Sequence, residues 1–101
     1  MSGFAVIVEF RLKPGMRPAF RRLVDANARA SARNEEACRR FDVLEPESQA
    51  DCILLYELYD DQAAFQAHLT SDHYRSFAEA SANLCAGKTV TTCDLVSEGG
   101  A

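Results

Sequence analysis

Hydrophobic and polar positions alternate at the start of the chain. Between Phe4 and Leu12, the residues Phe4, Val6, Val8, Phe10 and Leu12 share one parity and Ala5, Ile7, Glu9 and Arg11 the other. That is the period-two pattern of a β-strand. Lys13-Pro14-Gly15 predicts a turn, and Pro18 suits a first helical turn, where its missing N–H costs nothing. From Pro18 to Ala32 the period lengthens. Phe20, Leu23, Val24, Asn27 and Ala28 follow i, i+3, i+4, i+7, i+8, one face of an amphipathic helix. Asn27 is the odd member, an amide where that face calls for a leucine.

Residues 38–45, CRRFDVLE, predict a second strand ended by Pro46, and residues 52–59, CILLYELY, a third. The short polar connection between them favours an antiparallel hairpin. Asp60 or Asp61 can cap a short helix running to His68 or Leu69, and Thr70-Ser71-Asp72 breaks and restarts it. The restarted helix carries Tyr74, Phe77, Ala78, Ser81, Leu84 and Cys85 at helical spacing and stops at Gly87. The following KTVTTCDLV is a last strand rich in β-branched residues. The order β-α-β-β-α-β predicts a ferredoxin-like α+β fold, a four-stranded antiparallel sheet with helices on one face. The length suits one domain over residues 1–101.

The third strand is apolar on both sides, with Ile53 and Leu55 on one and Leu54, Tyr56 and Leu58 on the other. Helices cover one face only, so the other would expose a sizeable apolar patch. A second copy packed sheet against sheet removes it, and a homodimer is expected.

Composition narrows the partners. The chain is 48% hydrophobic and 26% charged, as in a soluble globular protein. Eleven basic against fifteen acidic residues give a net charge of −4, which argues against nucleic acid as a partner. Arg17, Arg21, Arg22, Arg29, Arg33, Arg39 and Arg40 read as a solvated helix back with acidic neighbours; the alternative is that Arg40 or Arg39 reaches an anionic substrate. No run of about 18 apolar residues exists to span a membrane. MSGFAVIVEF lacks the features of a secretion signal, so a cytoplasmic protein is expected. Cys38, Cys52, Cys85 and Cys93 show no zinc spacing and read as reduced, buried thiols.

Both histidines fall in Phe65–Tyr74, FQAHLTSDHY. His68 shares an inward stripe with Phe65 and Leu69, and Tyr74 leads the stripe of the next helix. His73 lies in that helix's first turn. A spacing of i, i+5 across a break is poor for joint ligation, so no metal is expected. Glu57, between Tyr56 and Leu58, needs a partner or a raised pKa if buried. Taken singly, His68 can close a helix end, Asn27 can bridge to backbone and Tyr74 can be core. Taken together, Asn27, Glu57, His68 and Tyr74 come from elements that the fold brings face to face. Phe20, Phe41, Phe65 and Phe77 could wall the gap, giving an apolar pocket with a few polar groups.

In these segments the chain resembles the antibiotic biosynthesis monooxygenase (ABM) superfamily, and more narrowly its quinol monooxygenase and autoinducer-phosphate isomerase branch. FAVIVEFRLKP (residues 4–14), Asn27, RFDVL (40–44), YELY (56–59) and FQAHLTSDHY carry the resemblance, which extends over residues 4–96. Glu36-Ala37 stands where the family has Pro-Gly, a change in the loop before the second strand. Tryptophan, used by haem-degrading relatives, is absent, which disfavours haem degradation. The resemblance implies a dimeric α+β barrel that oxidises or isomerises small oxygenated molecules without metal, flavin or haem.

The expected chemistry starts from a quinol, phenol or enolisable ketone that supplies its own electrons to O₂ once deprotonated. His68 is the candidate base. The Asn27 amide or the Tyr74 hydroxyl is the oxyanion donor. Glu57 would orient the imidazole or hold a water. Phe20, Phe41, Phe65, Phe77, His73 and Arg40 are the expected substrate contacts. The same groups could instead isomerise a hydroxyketone, phosphorylated or not, through an enediol. A dimeric protein that binds a small hydrophobic ligand without chemistry is the third reading.

Overall fold

The period-two alternation of the first strand sets the inside and outside of the whole sheet. In the computed structural model, which describes residues 3–100, β1 (Gly3–Leu12) lies centrally, between β3 (Cys52–Tyr59) and β4 (Cys85–Leu95). The sheet order is β2-β3-β1-β4, with β2 (Cys38–Leu44) at one edge, and every neighbouring pair is antiparallel. Register then carries the parity of β1 across the sheet. Val6, Val8 and Phe10 pair with Glu57, Leu55 and Ile53, and Val8 and Phe10 with Val90 and Lys88 on the other side. Phe41 sits opposite Glu57. These side chains form the inner face.

Three helices cover that face. α1 (Arg17–Asn34) has a proline in its first turn and buries Phe20, Val24, Asn27, Ala28 and Ser31. Arg17 ties its start to the β2–β3 connection through the carbonyls of Gln49 and Ala50, each at 2.9 Å. α2 (Gln62–Leu69) begins where the Asp61 side chain accepts the Ala64 N–H. α3 (Asp72–Ser81) begins where Ser71 Oγ accepts the Tyr74 N–H. Two separate caps, at Asp61 and Ser71, thus split one helical run into two directions. No helix among the described residues is long and apolar enough to cross a membrane.

The expected helix through Cys85 ends earlier. α3 stops at Ser81, a single 3₁₀ turn covers Ala82–Leu84, and β4 already starts at Cys85. Pairing with β1 overrides the helical spacing there: Cys85 sits opposite Leu12 and Gly87 opposite Arg11, across a bulge. Gly87 is therefore a strand residue, and a Cβ on it would stand 2.6 Å from the Arg11 guanidinium.

The core is aromatic at its centre. Phe20 is fully buried, its ring 4.8 Å from Phe10 and 5.6 Å from Phe77. The outer face of the sheet carries no helix and leaves Ile7 43% and Leu44 47% exposed. Phe20→Ala should cost about 3–5 kcal/mol, the range for removing a packed core ring. Urea denaturation would show it as a lower midpoint at unchanged slope. A change within about 0.5 kcal/mol, as at a surface site, would contradict this placement.

Candidate active site

Between the inner face and the helices lies a cavity of about 270 Å³. Four polar residues from four elements meet at its wall: Asn27 of α1, Glu57 of β3, His68 of α2 and Tyr74 of α3. Phe41, Phe65 and Phe77 supply apolar wall, as expected from the sequence.

His68 is only 2% exposed, and its ring is held by one nitrogen. Nδ1 lies 2.8 Å from Glu35 Oε2 and 3.4 Å from Ser31 Oγ. The Ser31 hydroxyl proton is already committed to the Asn27 carbonyl, at 2.8 Å. Both neighbours of Nδ1 are thus acceptors, so Nδ1 carries the proton and Nε2 keeps a lone pair. Burial lowers the His68 pKa, with Glu35 pulling the other way, so the neutral ring is favoured.

Asn27 is 3% exposed, and its Oδ1 is the one buried side-chain oxygen or nitrogen among the described residues without a hydrogen-bond partner. The amide therefore offers an unused acceptor as well as the donor expected from the sequence. Such an atom calls for a ligand or water that donates to it.

Glu57 is 3% exposed, and its partner is the Tyr59 hydroxyl, which donates to Oε1 at 2.7 Å. The role of orienting the imidazole belongs to Glu35 instead, because Glu57 and Tyr59 stand two residues apart on the same strand face and satisfy each other. Burial raises the Glu57 carboxyl from an ordinary 4.5 to about 7, opposed by the Tyr59 hydrogen bond and by Lys88. Lys88 was not anticipated. It reaches the cavity from β4, its Nζ 5.4 Å from the centre of the Phe10 ring and 5.9 Å from that of Tyr74.

Three expected contacts lie elsewhere. Phe20 is behind the cavity, in the core with Phe10 and Phe77. Arg40 stands opposite Leu58 on the outer face and pairs with Asp42 at 2.6 Å, because the strand parity that turns Phe41 inward turns Arg40 outward. His73 reaches Glu35 from the far side and lines a separate groove between α1 and α3.

The helix break does not keep the imidazoles apart, as the spacing had suggested. The turn at Thr70-Ser71 brings His68 Nδ1 and His73 Nε2 onto one oxygen of Glu35, and the three ligand atoms lie within 4.8 Å of one another. A nitrogen and an oxygen each about 2.0 Å from one tetrahedral zinc ion stand roughly 3.3 Å apart. The 2.8 Å between His68 and Glu35 is shorter and is a hydrogen-bond distance, so the spacing suits shared protons. Of the groups missed from the sequence, Ser31 was the most accessible, one turn after Asn27 on the same helix face. Glu35 and Lys88 reach the site through a loop and a strand register that no local pattern reveals.

Glu57 makes the fold pH-sensitive. Its folded pKa is raised, so its contribution is fully present below about 4.5 and is lost as pH rises through about 7. At 1.36 kcal/mol per pH unit, the span from 4.5 to about 7 carries about 3 kcal/mol. Wild type should lose about that much stability between pH 5 and pH 8 relative to Glu57→Gln, read by urea denaturation. Parallel profiles for the two proteins would show that the carboxyl is not buried in this way.

Residues 3–80 match the family described as antibiotic biosynthesis monooxygenase. A Mycobacterium tuberculosis protein named "Putative monooxygenase Rv0793" is 34% identical over 76 residues, 75% of this chain and 73% of that protein. The solved structure of Rv0793 superposes with a TM-score of 0.87 at 30% identity, covering 96% of this chain and 98% of that one. The structure of PA3566 from Pseudomonas aeruginosa also gives 0.87, at 20% identity and with 96% and 97% covered, and so shares the fold. The chain belongs to the antibiotic biosynthesis monooxygenase family.

Proposed function

We propose that the cavity binds a small quinol, phenol or enolisable ketone and that the protein is a cofactor-independent monooxygenase. One observation carries this reading: a buried histidine whose Nδ1–H is fixed by a carboxylate, on the wall of a cavity it shares with an unpartnered amide oxygen. His68 Nε2 removes the substrate proton. The substrate hydroxyl or carbonyl lies at Asn27, whose Oδ1 takes a donated hydrogen bond and whose amide N–H meets developing negative charge. The resulting phenolate or enolate gives its electrons to O₂, and a C–O bond forms at the electron-rich carbon. The imidazolium returns its proton to the peroxide. Loss of water, with a second C–H proton, leaves a carbonyl: for a methylene substrate, R₂CH₂ and O₂ become R₂CO and H₂O.

A second reading rests on the two titratable groups. His68 and Glu57, the latter with a pKa near 7, share a cavity with Lys88 at its wall. That set suits proton transfer between adjacent carbons of a hydroxyketone, with Lys88 available to a phosphate. His68 bonded to a carboxylate at the cavity wall supports chemistry over a ligand-binding role, whose mark would be a histidine bonded only to backbone.

A homodimer is proposed on the helix-free sheet face, where Ile7 and Leu44 are exposed beside Leu54 and Tyr56. Sedimentation velocity at micromolar concentration should give twice the chain mass, and Ile7→Asp should reduce it to the monomer with the fold retained. A wild-type monomer under those conditions refutes the dimer.

Oxygen uptake over a panel of quinols and anthrones tests the chemistry. His68→Ala should lower the rate by about 10²–10⁴-fold, and Asn27→Ala by about 10²–10³-fold. Variants as fast as wild type would end the assignment. Deuterium exchange into a hydroxyketone under anaerobic conditions, with no oxygen uptake, would favour the isomerase.

A further inference from the structure

The last strand carries Lys88 and Val90 at alternate positions, and pairing with β1 sets them opposite Phe10 and Val8. Both therefore point to the inner face and reach the cavity wall. β4 is an edge strand, so that wall is only half covered, and both residues stay exposed. Lys88 Nζ stands 5.4 Å from the centre of the Phe10 ring and 5.9 Å from that of Tyr74. The ammonium is thus placed at the rim, with aromatic rings on one side and water on the other. Lys88 is the one lysine or arginine on the cavity wall. Among the described residues no carboxylate lies within ion-pair distance of it.

The base lies at the other end. Glu57 pairs with Val6 and Lys88 with Phe10, four residues further along β1 and so roughly 13 Å away at about 3.3 Å per residue. His68 belongs to the Glu57 end. Its ring centre is 5.7 Å from that of Phe41, which stands opposite Glu57, and 5.7 Å from that of Tyr59, which donates to Glu57. Tyr74, 5.2 Å from the His68 ring, continues the wall toward Lys88. A ligand whose reacting oxygen lies at His68 therefore extends along an apolar wall toward an unpaired cation.

We propose that Lys88 is a specificity-determining residue that selects substrates carrying an anionic oxygen group, such as a carboxylate, at the end opposite the reacting hydroxyl. This rests on the reading of the cavity as the substrate site and of His68 as its base. An ammonium without a carboxylate partner keeps its water. A neutral substituent at the rim displaces that water and returns little, whereas a carboxylate or phosphate accepts the N–H groups and cancels the charge. Selection comes as much from the penalty on neutral ligands as from attraction to anionic ones. The direction of binding is fixed as well. At the His68 end the same anionic group would face the Glu57 carboxyl and keep the reacting hydroxyl from the base. Because the rim is wet, the preference is about tenfold, above the few-fold of a fully solvated ion pair and below that of a sealed one.

The probes 6-hydroxy-2-naphthoate and 2-naphthol share two fused rings and a hydroxyl and differ in a carboxylate at the far end. Fluorescence titration at low ionic strength should show wild type binding the naphthoate about tenfold more tightly. Lys88→Met keeps the apolar stem without the charge and should bring the two dissociation constants together. Lys88→Arg should retain the preference. Salt at about 0.5 M should shrink it in wild type, because screening then acts within a few ångströms. The readout is a ratio within one protein, so partial unfolding of a variant does not imitate it. Adding 6-hydroxy-2-naphthyl phosphate separates the two anionic groups, and a Lys88-dependent advantage for either one supports the proposal. Equal affinity of wild type for the anionic probes and 2-naphthol, or a preference that survives Lys88→Met, would overturn it and leave the cavity reading standing. Binding of no probe would overturn both. A Lys88-dependent preference with no oxygen uptake on any quinol would count against the oxygenase reading alone.

Discussion

The site depends on one hydrogen bond, that from His68 Nδ1 to Glu35. An imidazole at 2% exposure is pushed toward neutrality by desolvation, yet a neutral imidazole has two tautomers with opposite chemistry. Glu35 selects the one that leaves Nε2 basic. Its position is a product of three chain ends: the C-terminus of α1, the C-terminus of α2 and the first turn of α3. The caps at Asp61 and Ser71 fix the two helix directions, so the break between them is as much a part of the site as the ring itself.

The two carboxylates near the cavity live in different surroundings. Glu35 is partly exposed, and its Oε2 lies within hydrogen-bond reach of both imidazoles. Glu57 is nearly sealed, receives one hydroxyl and is raised to about 7. Burial drives both His68 and Glu57 toward their uncharged forms, lowering the pKa of the imidazole and raising that of the carboxyl.

Much of this was legible in the chain. Period-two and helical patterns located every strand and helix, and the third strand fell on residues 52–59 as observed. The fold then brought Asn27, Glu57, His68 and Tyr74 to one cavity. What failed was what pattern cannot encode. Phe20 reads as a wall or as core with equal ease, since both are apolar helix positions, and only the packing of Phe10 and Phe77 decides. Arg40 neighbours Phe41 in sequence, but adjacent strand residues face opposite sides. Lys88 and Glu35 join the site through long-range register and a loop. The C-terminal boundary slipped because the β1 edge claims Cys85 and Gly87 despite their helical spacing.

The composition of the cavity wall constrains how an anion could survive there. Besides His68, its polar members are Asn27, Glu57, Tyr74 and Lys88, set among phenylalanines and aliphatic side chains. An ionised Glu57 would repel a phenolate formed beside it, against the pull of Lys88 and of the His68 imidazolium. With its pKa already near 7, Glu57 needs little further push to bind a proton when the substrate becomes anionic. Formation of the anion then turns a repelling carboxylate into a hydrogen-bond donor, while Tyr59 continues to donate to its other face. On the reading of His68 as base, the sealed carboxyl of β3 is the group that lets negative charge develop at the apolar wall of the cavity.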